Sequence, residues 1–320
     1  MKKFIMLVLT IALLATPGLA FAEAVSLTAF EPEVFKDAVA AELQKRNVDM
    51  SGNQADKADL AGITKLNLSG KSIMEIQGLE YLTGLEELDL SRNRIHDLSG
   101  LSGLTKLKKL NVSDNTIEDI GALASLTALE ELDISRNRYQ EQGSGNRKGI
   151  QDIGALESLT ALRKLNLSGN YITDLSALRN LTKLEALDVS NNAQLSNGAG
   201  QRAMGEKLSD LSALAGLTKL KELDISENAV SQIGVLEGMK DLQMLDASNN
   251  LIEDSSVIDG MRIRSVDLSG NPVMKPIEDA LATLPQTGDE AKLLLWAVLM
   301  LLSMAGLTVI GRKRCSEEMI

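Results

Sequence analysis

Leu85 to Ile95 reads LEELDLSRNRI, and the same pattern returns with a spacing of 22 residues. It recurs as LKKLNVSDNTI from Leu107, LEELDISRNRY from Leu129, LRKLNLSGNYI from Leu162 and LEALDVSNNAQ from Leu184. LKELDISENAV from Leu220, LQMLDASNNLI from Leu242 and IRSVDLSGNPV from Ile263 continue it, and ITKLNLSGKSI at Ile63 begins it. In x-L-x-L-x the leucines alternate with polar residues, as in a short strand with one face inward. A unit this small cannot bury its leucines alone, so units stack and share one core. The strands then line up as a parallel sheet on the concave side.

The asparagine after each strand (Asn93, Asn115, Asn137, Asn170, Asn192, Asn228, Asn250 and Asn271) is expected to turn inward. Its amide both donates and accepts, so it can satisfy backbone groups that the turn would otherwise bury unpaired. The first unit has Lys71 at this place, as suits a terminal unit. The predicted fold is an α/β solenoid, a leucine-rich repeat array of about nine 22-residue repeats over residues 63–273. An open array needs caps. Residues 23–62 supply an N-terminal helical cap, with one helix over about 32–45 carrying Val34, Phe35, Val39 and Leu43 and a short one over 54–60. Residues 274–283 form a short C-terminal cap or linker, and after Pro272 only Val273, Pro276, Ile277 and Leu281 could cover the last repeat.

The two ends of the chain are of another kind. Lys2 and Lys3, an apolar run from Phe4 to Ala15 and small residues up to Ala22 make residues 1–22 a secretory signal peptide. Residues 284–288 read LPQTG, and residues 289–320 hold an apolar span followed by Arg312, Lys313 and Arg314. A basic tail stays on the cytoplasmic side, which places the body of the chain outside the cell. The single cysteine, Cys315, lies in that tail, so stability comes from packing and not from disulfides. The formal charge is −11, and becomes −13 when the signal (two lysines) and the residues after Thr287 (four basic, four acidic) are removed. So acidic a surface argues against nucleic acid.

The cap segment AFEPEVFKDAVAAEL, the junction into the first repeats and the 22-residue period resemble internalin-type surface proteins of Gram-positive bacteria. LPQTG, an apolar run and a basic tail, in that order, resemble the sorting signal read by sortase. The resemblance implies that a sortase thiolate attacks the Thr287 carbonyl, releases Gly288 onward and passes the acyl group to a peptidoglycan amine. Leu284, Pro285, Gln286, Thr287 and Gly288 are then the recognition sequence, and the membrane is touched only before sorting. The expected location is the cell wall and cell surface. Family members commonly add an Ig-like domain and a long spacer, whereas here only Met274 to Thr287 follows the repeats. Fourteen extended residues reach at most about 50 Å.

Ligand candidates fall on two places. At the start of each strand Lys65, Glu87, Lys109, Glu131 and Lys164 alternate in sign and can pair across strands. Arg92, Asp114 and Arg136 alternate likewise. From the sixth strand the alternation ends, and Asp188, Asp224, Asp246 and Asp267 stack in register beside Glu222, Glu227 and Met244. This reads either as a solvated acidic face or as a seat for a basic ligand. The second place is a pair of insertions that lengthen the spacing from Asn137 to Asn170 to 33 and from Asn192 to Asn228 to 36. They are either tolerated loops or an interface joining Tyr139, Arg147, Lys148 and Arg202 near Tyr171.

Nothing points to catalysis, a cofactor or a metal. His96 is the one histidine, it stands alone in a turn, and no phosphate-binding glycine loop follows a strand. The expected function is a wall-anchored module that binds a protein or glycan. The alternative is a wall-embedded structural protein that meets components of its own envelope.

Overall fold

The structure, a computed structural model, describes residues 24–30, 32–50, 52–140, 147–192 and 207–274. The expected signal peptide, Arg202, the LPQTG motif and the apolar span lie outside the described residues. Among those described, no helix is long and apolar enough to cross a membrane.

The chain opens with β1 (Ala24–Ser26), α1 (Glu33–Lys45), β2 (Gln54–Asp56) and α2 (Lys57–Leu60). The repeats follow as β3 (Lys65–Asn67), β4 (Glu87–Asp89), β5 (Lys109–Asn111) and β6 (Glu131–Asp133). The first insertion carries β7 (Tyr139–Gln140) and β8 (Arg147–Lys148). Then come β9 (Lys164–Asn166), β10 (Ala186–Asp188), β11 (Glu222–Asp224), β12 (Met244–Asp246), α3 (Ser256–Asp259) and β13 (Ser265–Asp267). Nine of these strands form one parallel sheet in the order β3-β4-β5-β6-β9-β10-β11-β12-β13. Register is one for one: Leu66 faces Leu88, Leu132 faces Leu165 across the first insertion, and Leu187 faces Leu223 across the second. Both insertions therefore leave the sheet undisturbed.

The leucines merge into one continuous core. Leu88, Leu110, Leu132, Leu165 and Leu187 are 0–3% exposed, as are Leu90, Val112, Ile134, Leu167 and Val189 behind them. Burying one such side chain is worth about 1.5–3 kcal/mol, which explains how a chain with few aromatics and no described disulfide holds together. Return segments on the convex side are short 3-10 turns such as Gly154–Ser158, each burying one leucine (here Leu156).

At the N-terminal end α1 sends Phe35, Val39 and Leu43, all 0% exposed, onto the first repeat. Their spacing of four puts them on one face of the helix. Phe30 packs edge-on against Phe35 with ring centres 5.2 Å apart. The short helix expected over 54–60 is divided. Gln54–Asp56 pairs antiparallel with Ala24–Ser26, and only Lys57–Leu60 is helical. Val25 and Ala55 face each other there and are both buried, so tertiary packing overrides the local helical preference.

Candidate functional site

Each turn after a strand is built from three positions. The first is the ladder asparagine. Asn115 Nδ2 donates to Leu90 O at 3.0 Å and to Val112 O at 3.1 Å, and its Oδ1 accepts from Ile95 N–H at 2.9 Å. Asn93, Asn137, Asn170, Asn192, Asn228, Asn250 and Asn271 are set likewise, 0–8% exposed, and tie each repeat to the one before. In the first repeat the backbone N–H of Lys71 is satisfied by Asn93 of the next, at 2.9 Å.

The second position precedes the asparagine. Gly70, Arg92, Asp114, Arg136, Gly169, Asn191, Glu227, Asn249 and Gly270 all have φ between 51° and 71°. Non-glycine residues adopt that left-handed region only at a steric cost, so the turn is enforced by its neighbours. At Gly270 a Cβ would lie 2.4 Å from Asn249 Oδ1, so a larger residue there needs the exposed Asn249 side chain to move.

The third position ends the strand, and its role is not apparent in the leucine pattern. Asn67, Asp89, Asn111, Asp133, Asn166, Asp188, Asp224, Asp246 and Asp267 each accept the backbone N–H of the serine two residues later, at 2.8–3.0 Å. This is an Asx turn repeated in every unit. The sequence signal is Asn or Asp followed two residues later by Ser. It reads NLS, DLS, NVS, DIS, NLS and DVS in the first six repeats, then DIS, DAS and DLS. Amide and acid alternate through six strands, and Asn67 Nδ2 donates to Asp89 Oδ2 at 3.2 Å. After Asp188 the alternation stops.

The solvated acidic face is therefore corrected. Asp188 and Asp224 are 6% and 3% exposed, flanked in register on both sides and turned back onto their own backbone. Asp246 and Asp267 are half-buried. Burial raises the Asp188 and Asp246 carboxyls above the ordinary range, and burial with repulsion from Asp188 and Asp246 pushes Asp224 up to about 7. Asp133 is raised by burial too.

Three ion pairs cross strands on the first half of the concave face. Lys65 pairs with Glu87 at 2.8 Å, Lys109 with Glu131 at 2.9 Å, and Arg136 grips both oxygens of Asp114 at 2.9 Å. Beside these pairs lies a hollow of about 600 Å³ running from Glu42 and Lys45 of α1 to Ala186, within the range of ligand clefts. Beyond Ala186 the strand-start column supplies Glu222, Met244 and Ser265, with no basic side chain in it.

The insertion cluster is only partly assembled. Tyr139 Oη donates to Glu118, and Lys148 Nζ lies 3.3 Å from the same carboxylate. Tyr171 is not an exposed anchor: it is 6% exposed, with the Arg138 guanidinium 4.9 Å from its ring centre. A Cβ at Gly149 would lie 3.1 Å from the Tyr171 ring. Arg138 also donates to Asn170 O at 2.7 Å and to Asn191 Oδ1 at 3.2 Å, bracing the roots of both insertions. Arg147 sits in β8 opposite Gln140, and Arg202 lies outside the described residues.

Residues 83–138 and 209–252 match the leucine-rich repeat family model, and residues 160–197 match its two-copy form. Residues 276–318 match the LPXTG cell wall anchor motif. No curated protein matches the chain. Among solved structures, internalin C2 from Listeria monocytogenes is 27% identical, with a TM-score of 0.65 over 79% of this chain and 100% of that one. A second Listeria internalin, inlF, is 28% identical with a TM-score of 0.59, over 79% and 74%. A Leptospira interrogans leucine-rich repeat protein, 21% identical at a TM-score of 0.51 over 68% and 57%, shares the fold. The anchor motif indicates a secreted, peptidoglycan-anchored protein. The chain is an internalin-type leucine-rich-repeat surface protein with an LPXTG cell-wall anchor motif.

Proposed function

We propose that a sortase joins this chain to peptidoglycan through Thr287, and that the array then holds a protein or glycan bearing cationic groups. The seat is the second half of the concave face, around Glu222, Glu227, Met244, Asp246 and Asp267, over the buried pair Asp188 and Asp224. One observation carries this reading: four acids stand in register there with no amide between them, while acids alternate with amides or pair with basic side chains in the first half. Stacked like charges oppose folding, and a cationic ligand relieves that repulsion only on the bound face. The residues at Tyr139 and Lys148 stand beside this reading as a second contact, with their charges already shared with Glu118.

The array is a binding module in this reading, and the sortase does the chemistry. Immobilised ectodomain is expected to retain a component from either host-cell extract or purified cell wall. Retention of nothing from both would contradict the proposal. A wall-embedded structural role is the second reading, favoured by the short stretch from Met274 to Thr287. Protease digestion of intact cells separates the two, because an array held inside the wall is shielded and an exposed one is cut.

A further inference from the structure

Three regularities of the array end at the same place, between β10 and β11. The strand-start column alternates as Lys65, Glu87, Lys109, Glu131 and Lys164, and then sets Ala186 where an acid is due. The strand-end column alternates amide with acid up to Asn166 and Asp188, and then sets Asp224 against Asp188. The second insertion also leaves the array between these two strands, after Asn192.

A column that only balances charge would continue here, and the neighbouring outer one does. Glu185 accepts from Arg163 Nε at 2.7 Å and from Lys221 Nζ at 2.6 Å, across the same three strands. In the inner column the gap at Ala186 leaves the charges on both sides of it unmatched. Lys164 is exposed and Glu222 half-buried, and among the described residues neither side chain has an ion pair or hydrogen bond. Lys65 with Glu87 and Lys109 with Glu131 are paired at the equivalent places. The hollow of the concave face ends here, on Ala186 and Leu187. Lys164 and Glu222 stand two strands apart, about 10 Å at the backbone, which is the span of about three residues of extended peptide.

We propose that a peptide segment lies across β9, β10 and β11, with a carboxylate on Lys164, a small side chain over Ala186 and a lysine or arginine on Glu222. The bound peptide supplies the rung that the ladder lacks. Its cationic end shares Glu222 with the acidic seat and rests on that reading, whereas its anionic end does not. Exposed ion pairs are weak singly, so the spacing of the two charges sets specificity and register.

Selection from a random-peptide display library on the immobilised full chain in detergent tests this. Wild type is compared with Lys164→Glu, Glu222→Lys and Ala186→Glu, all at places where other repeats carry Lys or Glu, so each variant should melt as wild type does. Wild type should enrich, at least tenfold over the unselected library, peptides with an acid and a base about three residues apart. Lys164→Glu should enrich peptides with bases alone, and Glu222→Lys peptides with acids alone. Ala186→Glu offers Lys164 the acid that Glu131 offers Lys109, and should lose the enrichment. The same peptides enriched by wild type and variants alike, or none by wild type, would overturn the proposal. Basic peptides without an acid, kept by Lys164→Glu and lost by Glu222→Lys, would overturn it too while leaving the cationic seat standing.

Discussion

Asp224 lies in register with Asp188 on the neighbouring strand, and both carboxylates are buried against their own backbones. Asp246 flanks Asp224 on the other side. The charged groups around this row are Glu222 and Glu227 on its own repeat, Asp267 beyond Asp246, and Arg136, the cation that acts on Asp188. Three acids thus share a site that the alternation of Asn and Asp keeps apart in the earlier repeats.

A pH dependence follows. The Asp224 carboxyl titrates at about 7 in the folded chain, against an ordinary value of 3.8. Between these values the folded state holds a proton that the unfolded state has lost. Stability therefore falls as pH rises through this window and is lowest above about 7. The folded chain should be more stable at pH 5 than at pH 8 by an amount on the order of 2 kcal/mol, and should melt at a higher temperature at pH 5. Asp224→Asn keeps the Asx turn, as Asn67, Asn111 and Asn166 do, and should flatten that difference in a thermal melt.

Asn170→Ala should be severe. It removes bonds to Ile134 O and Leu167 O at 2.9 and 3.0 Å and leaves the Asn137 N–H without its acceptor. Each buried orphan costs about 1–3 kcal/mol, so the loss should reach about 3 kcal/mol or more by chemical denaturation.

Lys109→Ala should be mild by comparison. Its pair with Glu131 is surface-exposed, with side chains 50% and 37% accessible, and such pairs are worth less than about 1 kcal/mol. The same denaturation curves check both variants.

Thr287→Ala removes the residue whose carbonyl the sortase is proposed to attack. The protein should then be extracted by detergent instead of being released by wall hydrolases. A variant that stays wall-bound would refute attachment at Thr287.

Much of this molecule is written in its leucines. Their spacing predicts the strands, the core and the inward asparagines, because one residue type at one spacing has one way to bury itself. The strand β1 was not legible, since its partner Gln54–Asp56 lies in a stretch with local helical character and the pairing spans distant residues. The Asp row was legible as a column but not as buried. Its serine partners give the signal, and only the turn geometry shows the carboxylates folded back onto it. Tyr171 occupies a turn position equivalent to the exposed Leu251, and is covered because Arg138 and Gly149 of the insertion pack over it.

The most direct test of the proposed binding face is the triple variant Asp188→Asn/Asp224→Asn/Asp246→Asn. It removes three of the row's four carboxyls and leaves Asp267, while keeping every Asx turn. Wild type and variant are exposed in parallel to host-cell extract and purified cell wall, and the retained components are identified. A component should be held by wild type and lost by the folded triple variant. Equal retention by the two would contradict it.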